Sequence, residues 1–140
     1  MPGLHDRHPL RWVLLRHTLA DGSWHFDWML ERERPAAPDD PNARRLLTLR
    51  TLTRPDELTP AAFDAVLIPD HRARYLDYQG PISGGRGRVD RVVGGTCLWH
   101  ELGGSRMDVQ LLTPHRRRWR GEPIEGSDWR FVLESDGSIG

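Results

Sequence analysis

The sequence predicts a mainly β chain, an antiparallel barrel or sandwich carrying one short helix. Three observations lead there. Short runs alternate apolar with polar residues, glycine-containing turns separate the runs, and only one stretch has the start signals of a helix. The first element is a hairpin over about residues 11–31. Its first run, Trp12-Val13-Leu14-Leu15, ends at His17. Its second run puts Trp24, Phe26, Trp28 and Leu30 on one face and His25, Asp27, Met29 and Glu31 on the other. Between them, Ala20-Asp21-Gly22 suits a three-residue loop with Gly22 in the left-handed region. That loop sets Leu19 opposite Ser23, and His17 opposite His25. A two-residue Asp21-Gly22 turn would instead put His17 beside Phe26.

Residues 32–45 hold prolines, charges and almost nothing apolar, and are expected to form an exposed, mobile loop. Leu46–Leu52 follows as a strand, with Leu47, Leu49 and Thr51 alternating against Thr48, Arg50 and Leu52. The expected helix is Thr59–Leu67, with Thr59 as N-cap, Pro60 in the first turn and Pro69 as the stop. Further strands are expected at Tyr75–Tyr78, Gly87–Val93, Thr96–Glu101, Met107–Leu112 and Trp129–Glu134. Turns fall at Gly80-Pro81, Gly84-Gly85, Gly94-Gly95, Gly103-Gly104 and Gly121–Gly126. The tryptophans read as barrel filling. Residues 1–10 read as a flexible lead-in and 11–140 as a single domain without internal repeats.

The chain has 140 residues, enough to bury a core without a metal or disulfide staple. Net charge is zero, so any nucleic-acid contact must use a local patch. All 20 basic residues are arginine. The single cysteine, Cys97, excludes an internal disulfide and a cysteine-rich zinc site. No apolar run approaches the roughly 18 residues of a membrane span, and residues 1–8 are too polar for a signal peptide. A cytoplasmic protein without membrane attachment is expected.

Four groups of residues carry chemistry. His17, His25 and Asp27 offer two imidazole nitrogens and one hard oxygen, a set that suits Mn, Zn, Fe or Co and leaves positions for water and substrate. The bland alternative is ordinary polar residues on a hairpin. His71 and Tyr75 share a face if their segment is extended, as a proton donor or acceptor beside an anion-binding hydroxyl; otherwise they belong to a polar loop. Ser83-Gly84-Gly85-Arg86-Gly87 is either a backbone phosphate cradle or a tight turn. The strand expected after it excludes a P-loop. Arg116–Arg120 is either a basic and aromatic stripe for single strands or a solvated loop with Trp119 in the core.

Taken together, these pieces resemble the 3′-phosphoesterase domain of bacterial DNA ligase D and its free-standing relatives. That family's pattern is a histidine, then His-x-Asp-Phe-Arg-Leu-Glu, then His-x-x-x-Tyr, then Glu-Gly-x-Ile-Pro-x-Gly-x-Tyr-Gly and a Gly-Thr turn. This chain has His17, His25-Phe26-Asp27-Trp28-Met29-Leu30-Glu31, His71 to Tyr75, Gln79-Gly80-Pro81-Ile82-Ser83-Gly84-Gly85-Arg86-Gly87 and Gly95-Thr96, in the same order. Leu49-Arg50-Thr51-Leu52 is similar to the family's Leu-Lys-Ser-Trp, and the last two expected strands are similar to its closing strands. The resemblance runs over nearly the whole chain from Trp12.

It implies a compact antiparallel β-barrel and a hydrolase, a manganese-dependent phosphoesterase acting in DNA repair. Such an enzyme removes a terminal ribonucleotide and a 3′-phosphate from DNA or RNA 3′ ends, leaving a hydroxyl for a ligase or polymerase. By the same resemblance His17, His25 and Asp27 would hold Mn2+ (Zn2+ or Co2+ as substitutes). His71 would assist the transition state or leaving group, and Tyr75 would contact the phosphate. Two departures stand out. Met29 occupies the place of the family's arginine, and the His17–His25 separation is two residues longer, which preserves face parity. Candidates for a second phosphate-binding arginine are Arg54, Arg72 and Arg86, with Arg16 and Arg88 as further substitutes for the missing clamp. The alternatives are a catalytically weakened or inactive member that binds metal and nucleic-acid ends or a repair partner, and a phosphoesterase acting on a small molecule.

Overall fold

The computed structural model describes residues 9–35 and 40–134. Nine strands form one antiparallel sheet: β1 Leu10–Thr18, β2 Trp24–Glu31, β3 Arg44–Thr51, β4 Ala62–Arg72, β5 Gly80–Pro81, β6 Arg88–Leu102, β7 Met107–Leu111, β8 Arg117–Glu125 and β9 Asp128–Glu134. Two four-stranded meanders, β1–β4 and β6–β9, are closed by the pairs β1–β6 and β4–β9, so eight strands make a sealed barrel. Closure leaves no open sheet edge in the ring. Short β5 extends one end of β6. Among the described residues no helix is long and apolar enough to cross a membrane.

The barrel interior is aromatic. Trp12, Trp28, Phe63, Trp119, Trp129 and Phe131 pack there with Leu14, Leu30, Leu47 and Leu49. Phe63 meets Trp119 edge-on at 4.8 Å, and Trp28 meets Phe131 edge-on at 5.7 Å. Trp24 is the exception to barrel filling. It is 39% exposed and lies under the Arg16 guanidinium, 4.5 Å from ring centroid to carbon. Cys97 is buried, and burial pushes its thiol up to about 12, leaving it unreactive.

A second apolar cluster sits on the outer face of β1, β2, β3 and β6, where Val13, Leu15, Met29, Leu46 and Val89 meet Leu76. The strap over residues 73–87 covers this face, with Tyr75, Tyr78 and Ile82 packed against it. Strands buried on both faces lose their polar alternation, which explains the unbroken Val13-Leu14-Leu15 run.

Several expectations are corrected. Thr59–Leu67 is not helical: from Ala62 the chain is β4, with Phe63 and Ala65 buried between exposed Ala62, Asp64 and Val66. A nine-residue helix is marginal by itself, whereas this segment finds backbone partners in both β3 and β9. Among the described residues the one helical turn is instead a 3-10 turn, Ala73–Leu76, where a strand was expected at Tyr75–Tyr78. Gly94-Gly95 is not a turn, and β6 runs straight through it. A Cβ at Gly95 would lie 1.9 Å from the Thr113 carbonyl oxygen, so these glycines permit close backbone approach.

Arg116–Arg120 is not a loop either. Most of it enters β8, which the sequence reading lacked. Gly121 belongs to that strand because the Phe131 ring occupies its Cβ space, 2.4 Å away. The expected lead-in falls outside the described residues apart from 9 and 10, and Leu10 already belongs to β1. Residues 36–39 of the expected 32–45 loop also lie outside them, and β3 begins at Arg44, inside the expected loop.

Candidate metal centre

The β1–β2 turn decides the centre. Leu19 N–H donates to the Ser23 carbonyl at 2.8 Å, and Gly22 N–H to the Leu19 carbonyl at 2.9 Å. Gly22 has φ +89°, a conformation glycine adopts without Cβ strain. The Asp21 carboxylate accepts from both Ser23 N–H and Ser23 Oγ. This is the three-residue loop, and it pairs His17 with His25 in register. Their rings meet edge-on at 5.0 Å.

Asp27 lies two residues along the same face and is only 2% exposed. Its Oδ2 is 3.6 Å from His17 Nδ1, and its Oδ1 is 3.3 Å from His25 Nε2. The donor atoms of the three residues all lie within 4.8 Å of one another. Donors at about 2.1 Å from one ion sit within about 4.2 Å of each other, so a small rotation of one imidazole brings the set to bonding reach.

Two further observations fit a cation there. His25 Nε2 and Asp27 Oδ1 are both buried without a hydrogen-bond partner, since their 3.3 Å contact is poorly aligned. An unpartnered buried carboxylate oxygen is costly, and a metal ion satisfies it. His17 Nε2 donates to the Arg86 carbonyl at 2.8 Å, which fixes the ring and leaves the Nδ1 lone pair for a ligand. The trio can therefore hold a metal ion.

Electrostatics couple the Asp27 carboxylate to its imidazole neighbours. Burial by itself would raise the Asp27 pKa, but the two imidazoles outweigh it and hold the carboxyl at about 2. His17 is raised above its ordinary value, mainly by the Asp27 carboxylate, with the Arg86 carbonyl assisting against desolvation.

His71 reaches the same face through a pair of β-bulges. Thr48 pairs with Ile68, but Leu46 pairs with His71 and Arg44 with Arg72. One extra residue in β4 and then one in β3 turn consecutive His71 and Arg72 onto a single face. Pro69 lies in this bulge, where its missing N–H breaks no ladder bond. His71 Nδ1–H donates to the Pro69 carbonyl at 2.9 Å, and its ring meets Tyr75 edge-on at 5.9 Å. His71 and Tyr75 thus converge across a strand end and a 3-10 turn rather than along one extended strand.

A cavity of about 150 Å³ gathers His17, Asp27, His71 and Tyr75, with Arg44, Arg72 and Arg86 also in its lining. His25 faces the other way, into a wider groove shared with Arg50. The sequence matches no family model, and no curated protein matches it.

Not every candidate belongs to it. Arg54 is ion-paired with Asp56 at 2.7 Å and is absent from the cavity lining. Arg88 pairs with Asp90, and Arg16 covers Trp24. The Arg116–Arg120 stripe is half neutralised: Arg118 binds Asp108, Arg120 binds Glu134, and Trp119 is buried with its indole N–H on the Pro55 carbonyl. The Ser83–Gly87 segment is a tight turn whose Arg86 side chain folds onto Ser83.

Two arginines near the trio, one in each groove, were not foreseen. Arg50 pairs in register with Asp27, its Nε 4.0 Å from Oδ1. The signal was present, because Arg50 shares Thr48's face and β3 neighbours β2. Arg44 was hidden by its assignment to the loop.

Proposed function

We propose that this protein is a metal-dependent phosphoesterase that processes 3′ ends of DNA, removing a 3′-phosphate or a 3′-terminal ribonucleotide during end repair. This is the activity that the resemblance to the DNA ligase D 3′-phosphoesterase domain implies. The observation that carries the reading is a metal-ligand set of which two members, His17 and Asp27, line one cavity with a histidine, a tyrosine and arginines that suit phosphate. Manganese is the expected ion, with zinc and cobalt suited to the same donors. A divalent ion held by His17, His25 and Asp27 would polarise a phosphoryl oxygen and lower the pKa of bound water.

The chain's own residues do the rest. His71, with Nδ1 committed to the Pro69 carbonyl, uses Nε2 to give or take the proton at the departing oxygen. Tyr75 donates its hydroxyl hydrogen to a phosphate oxygen. Arg72 and Arg86 balance the phosphate charge at the cavity rim. The exposed product hydroxyl is the group that a polymerase or ligase uses.

The test is phosphate release from a 3′-phosphorylated oligonucleotide by the full chain with Mn2+. His25→Ala and chelator should each abolish turnover, and undiminished activity in either refutes the proposal. Competition by nucleoside monophosphates separates a small-molecule substrate from a nucleic-acid end.

One observation favours a second reading, a member that binds ends without turnover. Met29, at the position of the family's arginine, is 1% exposed and packed among Val13, Leu15 and Leu46. A guanidinium there would clamp the phosphate, and losing one such contact typically lowers rate by roughly 10²–10³. This reading expects metal and end binding with no release from any 3′-blocked primer.

A further inference from the structure

We infer that Arg44 and Arg72 form a two-guanidinium clamp for a phosphate dianion on the β3–β4 side of the metal centre, doing the work of an arginine absent from position 29. The inference rests on the phosphoesterase reading for its biological meaning, but the clamp itself is a binding property. Many of the described arginines are matched with acids: Arg32 with Asp70, Arg118 with Asp108 and Arg130 with Asp64 are examples. Arg44 and Arg72 have neither a carboxylate nor a hydrogen-bond partner among the described residues.

They are also register partners on adjacent antiparallel strands, which places two like charges side by side, with Cβ atoms about 5 Å apart. Such a pair is unfavourable until an anion lies between its members. The compensating bulges that bring His71 onto this face bring Arg72 with it, opposite Arg44. Both arginines line the cavity with His71 and Asp27, and the Arg86 guanidinium, held on Ser83, stands at the same rim. Two planar forks at this spacing suit the non-bridging oxygens of a phosphomonoester, whose two charges match two guanidiniums. Met29 supplies neither charge nor donor, so the clamp comes from β3 and β4 instead of β2.

The experiment titrates inorganic phosphate into the full chain in chelator by calorimetry. It compares wild type with Arg44→Gln, Arg72→Gln, the double variant and Arg106→Gln, a surface control near Glu101. Each single change should weaken binding about tenfold, the size of one charge-assisted contact. The double variant should lose it, and the control should match wild type. Melting temperature monitors folding: Arg72→Gln should not lower it, because it removes a like-charge pair, and phosphate should raise it equally in wild type and the control, less in the single variants and not in the double variant.

Binding within about twofold of wild type in the double variant overturns the clamp, as does a wild type that binds no phosphate. A Mn2+-dependent 3′-phosphatase assay separates the two claims. Phosphate binding lost in the double variant of a protein that never turns over upholds the clamp and refutes the enzyme. Full turnover by the double variant refutes the clamp and upholds the enzyme.

Discussion

Replacing Asp27 by Asn tests the electrostatics of the centre before any metal is added. The two side chains have nearly the same volume, so the barrel keeps its packing while the carboxylate facing His17 Nδ1 and His25 Nε2 loses its charge. The gap between the ordinary value of 3.8 and about 2 for Asp27 is worth between about 2 and 3 kcal/mol. For a chain of 140 residues that corresponds to a melting temperature lower by about 8 °C. Because the folded-state pKa is depressed, this stability is present above 3.8 and is lost as pH falls through about 2. The difference between wild type and Asp27→Asn should therefore be full at about pH 5 and shrink steadily under acid. It should also narrow as pH rises through the raised titration of His17, when the imidazolium partner is lost. Thermal unfolding followed by circular dichroism, in chelator across this range, measures it. A variant as stable as wild type at about pH 5, or a difference that ignores acid, refutes the reasoning.

Metal binding should show the opposite pH preference. His17 must surrender the proton that Asp27 helps it retain, so Mn2+ should raise the wild-type melting temperature more at about pH 8 than at about pH 5.5, and His25→Ala should abolish the rise. Gly95→Ala should destabilise by about 3 kcal/mol in denaturant unfolding, since its Cβ would strike the Thr113 carbonyl at 1.9 Å. Gly104→Ala, with nothing within 4 Å of its added Cβ, should stay within about 0.5 kcal/mol of wild type. Met29→Leu should change stability by less than about 1.5 kcal/mol. Met29→Arg should lower it by more than about 2 kcal/mol, because a charge would enter a cluster where methionine is 1% exposed.

Much of the site was legible because the hairpin is local. Parity along Trp24–Glu31 placed His25 and Asp27 on one face, and the Ala20–Gly22 loop length placed His17 opposite His25. Elements read from capping and breaking residues fared worse. Thr59, Pro60 and Pro69 are helix punctuation in a peptide, but β4 passes between two strands that pair with its backbone, and the bulge accommodates Pro69. Glycines read as turns at 94, 95 and 121 were spaces left for a guanidinium, a carbonyl and a phenyl ring. No pattern within ten residues distinguishes those uses.

The amino-acid sequence alone determined a mainly β chain and the shared face of two imidazoles and one carboxylate, because period-two alternation and a short loop are local properties of the backbone. Tertiary structure decided that this face lies outside the barrel beneath a strap, that His71, Tyr75 and three arginines meet it in one cavity, and that Arg118 and Arg120 of β8 are spent on ion pairs. Those outcomes depend on ring closure and on bulges that shift register between strands distant in the chain, where one residue's displacement exchanges the inside for the outside.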